Sequence, residues 1–151
     1  IRKGDTLLDY GCGKGRVDCY LSYQTRCHSI GVEYDPRIYE TAAENQKTAV
    51  SGGRTEFVLA DAGEFPVPGA VNRAYFFNPF SVELLQKVIR RILDSWYEVS
   101  REIRLFFYYP SDEYLAYLMT VDELVFADEI DCRELFDGND ARERIVEFVL
   151  E

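Results

Sequence analysis

Residues 7–16 read LLDYGCGKGR, and this stretch decides the fold. An apolar pair, Leu7-Leu8, runs into the acid Asp9, and glycines follow at the alternate positions 11, 13 and 15. The run TLLDY, Thr6–Tyr10, reads as a short buried strand entered through the turn residues Gly4 and Asp5. Beyond Gly15 the apolar spacing becomes helical at Val17, Tyr20 and Leu21. A strand, a glycine turn and a helix in that order offer a ligand site at the strand's carboxyl end. Glycine carries no Cβ, so the backbone can turn tightly and approach a ligand closely, while the next helix presents free N–H groups.

Working outward, the alternation continues. HSIGVEY forms a second strand ending near Glu33. Asp35-Pro36 then opens a helix that runs to about Val50, before Gly52-Gly53. Aspartate is a good N-cap, and proline is preorganised for the first helical position. TEFVLAD is a third strand, the loop EFPVPGA follows, and NRAYFFNPF is a fourth strand. A long helix begins after Ser81 with Val82, Leu85, Ile89, Ile92, Leu93 and Trp96 as its core stripe. EIRLFFYYP is a fifth strand, SDEYLAYLM a short helix, and two strands close the chain at about Glu123–Ile130 and Arg144–Leu150. This order predicts an α/β fold: a doubly wound, mostly parallel seven-stranded sheet with helices on both faces. The last two strands are joined without a clear helix, which permits one antiparallel strand in the edge region.

Length and composition suit one domain over residues 1–151: hydrophobic residues make up 47% of the chain, enough for a real core. The chain starts at Ile1 rather than Met, which reads as a fragment lacking an N-terminal segment. A formal net charge of −10 disfavours a broad nucleic-acid footprint. The best local basic patch, Lys87, Arg90 and Arg91, reads as a solvated helix face. No apolar stretch approaches a membrane span, and no signal-peptide pattern is present. Cys12, Cys19, Cys27 and Cys132 form no C-x-x-C pair and His28 is the single histidine, so no metal site is expected and a reducing, cytoplasmic setting is. The DGND segment, Asp137–Asp140, lacks the alternating acids of a calcium loop and reads as a turn.

The glycine turn discriminates between ligand classes. Dinucleotides want G-x-G-x-x-G, but here the third glycine comes one position early and Arg16 stands at the expected site. A carboxylate at Asp9 does not help a pyrophosphate, and it suits a ligand carrying an ammonium group. An NAD-dependent oxidoreductase is therefore the weaker reading.

The stretch D-x-G-x-G-x-G, Asp9–Gly15, resembles the first motif of class I S-adenosylmethionine-dependent methyltransferases. The resemblance continues in order at the strand ends: Glu33 in GVEYDP, Asp61 in LADA and Asn78-Pro79-Phe80. It implies a Rossmann-like fold and S-adenosylmethionine as cofactor. Asp9 is then expected on the ammonium side, and Gly11, Cys12, Gly13 and Gly15 in the turn around the methionine and ribose. Glu33, followed by Tyr34, is expected to hold the ribose diol, while Asp61 and Ala62 read the adenine edge. Asn78, Pro79 and Phe80 resemble the family's Asn/Asp-Pro-Pro-Tyr/Phe motif with one proline missing, which implies an acceptor-facing catalytic role and weakly favours a nitrogen acceptor. Proline ending a strand with its aromatic neighbour filling core is the alternative for that tripeptide. Tyr108 and Tyr109 are a second candidate wall of the acceptor pocket, and adjacent strand residues point to opposite faces. The acceptor itself is not legible, with a protein or small molecule favoured over nucleic acid, and neither is the oligomeric state. A degenerate, non-catalytic cofactor-binding domain is the alternative to an enzyme.

Overall fold

The structure is a computed structural model that describes residues 1–77, 80–135, 138 and 140–151. Its strands are β1 (Thr6–Tyr10), β2 (His28–Glu33), β3 (Thr55–Leu59), β4 (Arg73–Phe77), β5 (Ile103–Tyr108), β6 (Val125–Asp131) and β7 (Arg144–Leu150). Its helices are α1 (Arg16–Thr25), α2 (Pro36–Thr48), α3 (Val82–Glu98) and α4 (Asp112–Leu118). The strands lie in the order β3-β2-β1-β4-β5-β7-β6, with β1 to β5 parallel. Strand β7 is antiparallel to both of its neighbours. The doubly wound reading holds, with one refinement: the antiparallel strand lies one place inside the edge, and β6 is the outer strand. The short final connection lets β7 fold back into the gap beside β5.

The pleat sorts the sheet's side chains between two helical layers. Leu8, Tyr10, Ala74, Phe76, Leu105, Phe107 and Phe148 join Leu85, Val88, Ile89 and Ile92 of α3 and Tyr114 and Leu118 of α4 in one core. The alternate residues of β1 and β2, including Leu7, Asp9, Ser29 and Gly31, face the side packed by α1 and α2. Within α3 the expected stripe is largely correct. Val88 replaces Val82 among its fully buried positions, and Leu93 and Trp96 are half-buried against the core.

Caps explain the helix boundaries. Asp35 Oδ1 accepts from the N–H groups of Arg37 and Ile38 at 2.9 and 3.4 Å, and Pro36 occupies the first turn of α2. Ser81 and Ser111 cap α3 and α4 through Leu84 N at 3.2 Å and Tyr114 N at 3.1 Å. Helix α2 ends at Thr48, two residues short of the expected Val50, and β3 ends at Leu59, so Asp61 lies beyond the strand. No helix is long and apolar enough to cross a membrane among the described residues.

Strand β6 is exposed along its whole length, and its pairing with β7 is interrupted by a bulge between Phe126 and Asp128. On the α1 side, Tyr75, Phe106 and Ile145 of β4, β5 and β7 line an open apolar groove with Val17 and Leu21 of α1.

Candidate functional site

Strand order reverses at β1, which pairs β2 on one side and β4 on the other. The crevice outside the carboxyl ends of these strands is where an open α/β sheet binds ligands. The glycine turn sits at that point. Gly11, Gly13 and Gly15 have φ of 66°, 58° and 79°, a left-handed run that side chains resist. Gly11 N and Cys12 N both donate to Val32 O, at 2.9 and 3.1 Å, tying the turn to the end of β2. A Cβ on Gly15 would collide with the Phe57 ring, and one on Gly31 would lie 2.8 Å from Cys12 Sγ. A Cβ on Gly13 would meet nothing within 4 Å, so the turn is open there.

Glu33, the last residue of β2, is held in place by the backbone. Its Oε1 accepts from Gly13 N and its Oε2 from Asp35 N, each at 3.0 Å. Each carboxylate oxygen has two acceptor positions, so one remains on each for a ligand's hydroxyl groups. Asp61 folds its own turn, with Oδ1 accepting from Gly63 N at 3.0 Å. Gly11, Val32, Glu33, Tyr34, Ala60, Asp61, Ala62, Phe80 and Leu84 line one cleft of about 320 Å³. Six of these were expected from the sequence; Val32, Ala60 and Leu84 were not, being apolar residues whose place on the wall comes from the fold.

The remaining expected residues are arranged differently. Gly13 and Gly15 shape the turn without lining this cleft. Asp9 is 3% exposed and lies beneath the turn. Burial, with the nearby carboxyl of Asp18, holds its own carboxyl well above the usual carboxylate range. Burial also pushes the Cys12 thiol upward, assisted by Asp18, Asp9 and Glu33. A thiol so placed is poorly reactive, which agrees with Cys12 serving as a small residue of the turn.

Asn78 and Pro79 lie outside the described residues. Phe80 has a double position: its ring lines the cleft and also packs edge-on against Tyr10 and Phe76, with centroids 6.3 Å away in each case. Below it, Tyr10, Phe76 and Phe107 form a stack across β1, β4 and β5, with centroid distances of 4.9 and 4.4 Å. The Phe80 backbone is gripped by Tyr114: Phe80 N donates to Tyr114 Oη at 3.1 Å, and that hydroxyl donates to Phe80 O.

At the carboxyl ends of β4 and β5, Phe77 and Tyr108 pack with centroids 5.1 Å apart, and Phe77 is 57% exposed. Tyr108 donates to Glu143 at 2.6 Å, and Tyr109 donates to Asp140. Tyr109 has φ of 54° and carries the Arg142 guanidinium 4.3 Å from its ring centroid. The basic residues of α3 behave differently from one another. Arg91 is engaged within the fold, donating to Gly63 O at 3.1 Å and Glu64 at 3.2 Å, while Lys87 and Arg90 are exposed. No cluster of ligating side chains fit for a metal occurs among the described residues.

This geometry can be set beside known proteins. The methyltransferase domain family matches residues 7–102. A curated relative, 27-O-demethylrifamycin SV methyltransferase from Amycolatopsis mediterranei, is 27% identical over 105 residues. That match covers 70% of this chain and 36% of the relative, so the chain spans about a third of that protein's length. A TehB-like SAM-dependent methyltransferase from Corynebacterium glutamicum superposes with a TM-score of 0.71 at 16% identity, covering 100% of this chain and 82% of that one. An RNA methyltransferase from Salinibacter ruber, solved with S-adenosyl-L-homocysteine, gives a TM-score of 0.62 at 18% identity, covering 99% and 82%. At these identities the superpositions speak for the fold.

Proposed function

The chain belongs to the S-adenosylmethionine-dependent methyltransferase domain family, and we propose that it transfers a methyl group to a nitrogen acceptor on a protein or small molecule. The observation that carries this reading is Glu33, whose carboxylate is aimed by two backbone N–H groups and lines the cleft at the end of β2. Such a carboxylate suits a ribose diol, because both oxygens keep an acceptor position for a hydroxyl group. The donor set fits the rest of the cofactor. Asp61 and Ala62, which line the same cleft, would read the adenine edge, and Tyr34, 75% exposed, lies beside Glu33 on the wall. Gly11, Cys12, Gly13 and Gly15 would let the backbone approach the methionine part, and Asp9 would supply negative charge for its ammonium from below.

Bound there, the cofactor supplies an electrophilic methyl group on a sulfonium whose departure leaves a neutral thioether. The protein's part is placement. Holding a lone pair in line with the methyl group can remove roughly 7–11 kcal/mol of barrier at the upper range of such effects. An amine must arrive without its extra proton. Asn78 and Pro79 would receive its N–H groups through carbonyl oxygens, and Phe80 would pack against its plane.

The tripeptide Asn78-Pro79-Phe80 supports nitrogen by its likeness to the family's motif. An oxygen acceptor is the second reading, favoured by the relative whose name describes a 27-O-demethylated substrate. A cofactor-binding domain without turnover is the non-enzymatic alternative. Calorimetric titration with S-adenosylhomocysteine, beside NADH, tests the cofactor, and labelled methyl transfer to amine and hydroxyl acceptors tests the reaction. Saturable binding of the homocysteine product with none of NADH, followed by labelled amine, is the expected outcome. Labelled hydroxyl product would move the reading to oxygen. Binding without transfer to either class would support the non-catalytic one.

A further inference from the structure

Arg91 has no part in the function proposed above, yet its guanidinium grips the turn that follows β3. Residues 61–64 form that turn: Glu64 N donates to Asp61 O at 3.0 Å, and Gly63 N donates to Asp61 Oδ1 at 3.0 Å. Helix α3 lies directly against it. A Cβ on Gly63 would come within 2.9 Å of Leu84 Cδ1 and 3.3 Å of Lys87 Cβ. Leu84, Lys87 and Arg91 follow one another at spacings of three and four, so they share one face of α3.

From that face Arg91 Nε donates to Gly63 O at 3.1 Å, and its Nη2 donates to Glu64 Oε2 at 3.2 Å. The two bonds differ in weight. The side chains of Arg91 and Glu64 are 38% and 69% exposed, and an ion pair so wet contributes little. Gly63 is buried, and its carbonyl needs a partner within the fold. The peptide joining Gly63 to Glu64 is thus held at both ends, its C=O by Arg91 and its N–H by Asp61 O. The peptide before it supplies the N–H that orients the Asp61 carboxylate. Asp61, Ala62 and Leu84 all line the cleft.

We propose that Arg91 is a positioning residue for adenine recognition: by holding Gly63 O it sets the turn from which Asp61 and Ala62 read the adenine edge. This rests on the cofactor reading given above. On that reading Asp61 accepts from the 6-amino group, and Ala62 N–H donates to the adjacent ring nitrogen. Rotation of the Gly63–Glu64 peptide would loosen both contacts at once, because the Asp61 carboxylate is tied to the neighbouring peptide. Arg91 acts through the turn and touches no part of the ligand.

The test is calorimetric titration with S-adenosylhomocysteine and with S-inosylhomocysteine, in which oxygen replaces the 6-amino group and the adjacent ring nitrogen carries a proton. Both edge contacts are lost in the second ligand. Wild type therefore prefers the adenine compound by about tenfold or more. Arg91→Met lowers that preference to about threefold or less, through weaker binding of the adenine compound alone. A loss of general stability would weaken both ligands alike and leave their ratio unchanged. Glu64→Gln removes the ion pair and keeps the bond to Gly63 O, so its preference stays within about twofold of wild type. An unchanged ratio in Arg91→Met, or a fall in Glu64→Gln as large as that in Arg91→Met, overturns the proposal. Should Arg91→Met fail to fold, Arg91→Gln is judged by the same ratio. A wild type that binds neither ligand overturns the cofactor reading and the proposal together. A wild type that binds both equally overturns the adenine contacts and the proposal, and a preference untouched by Arg91→Met overturns the proposal only.

Discussion

Tyr114 holds Phe80 by both backbone polar groups: its hydroxyl accepts from Phe80 N and donates to Phe80 O. The hydroxyl belongs to the third residue of α4, and it holds Phe80 from 34 positions away in sequence. Through it, α4 holds in place the aromatic residue that lines one end of the cleft. Tyr114→Phe keeps the ring and removes the grip. Leaving these part-buried groups unpaired is expected to cost about 1–3 kcal/mol in chemical denaturation. Turnover should fall while affinity for S-adenosylhomocysteine holds. Equal loss of both would place Tyr114 in the general scaffold instead.

Glu33→Ala removes the acceptors proposed for a ribose diol and also frees Gly13 N and Asp35 N. Hydrogen bonds to a charged group contribute about 1.5–3 kcal/mol each, so affinity for S-adenosylhomocysteine should fall at least tenfold. Titration calorimetry reads this directly. Affinity equal to wild type would remove Glu33 from the ribose.

Two glycines of the turn should separate stability from binding. At Gly15 a methyl group meets both a left-handed φ and the Phe57 ring, so Gly15→Ala should unfold at clearly lower denaturant. At Gly13 only the backbone conformation opposes a methyl group, at about 1–2 kcal/mol, because the space around it is open. Gly13→Ala should therefore fold, and any large loss of S-adenosylhomocysteine binding in it reports close approach of the ligand to the turn.

Asn78→Ala should spare S-adenosylhomocysteine binding and reduce methyl transfer. Parallel loss of binding and transfer would move Asn78 out of the acceptor role.

The buried carboxyl groups of Asp9 and Asp18 have a signature in stability. Both are raised above the ordinary value of 3.8, so the folded protein retains a proton that the unfolded chain has already lost. Stability from this source is complete below 3.8 and declines as pH rises from there through the raised range. Denaturation midpoints of wild type should fall between about pH 5 and pH 8 more steeply than those of Asp18→Asn. Matching slopes would mean that Asp18 does not retain a proton in the folded state.

Much of this was legible in the chain because it is local. A strand that ends in an acid and three alternate glycines announces its turn, and Asp35-Pro36 announces the start of α2. The apolar period of α3 marks its buried face. Features made by long-range contact were not legible. Asp9 and Asp18 are nine positions apart, and their burial depends on α1 packing over the sheet. Read singly, each is a plain acid. The place of β7 between β5 and β6 depends on pairings with β5 across 37 to 47 residues, so alternation alone could allow an antiparallel strand without locating it. Val32, Ala60 and Leu84 reach the cleft wall only because the sheet and α3 bring them there.

Strand β6 ends the sheet, and among the described residues its outer side has no partner strand. An edge with Val125, Phe126 and Ile130 exposed is a template on which another chain could add itself. Two features guard it. The bulge between Phe126 and Asp128 breaks the flat ladder, and Asp128, Glu129 and Asp131 place like charges where an identical strand would have to dock. Resistance to sheet growth between chains is thus partly electrostatic, and acid strong enough to neutralise these carboxylates would leave the bulge as the remaining guard against fibres.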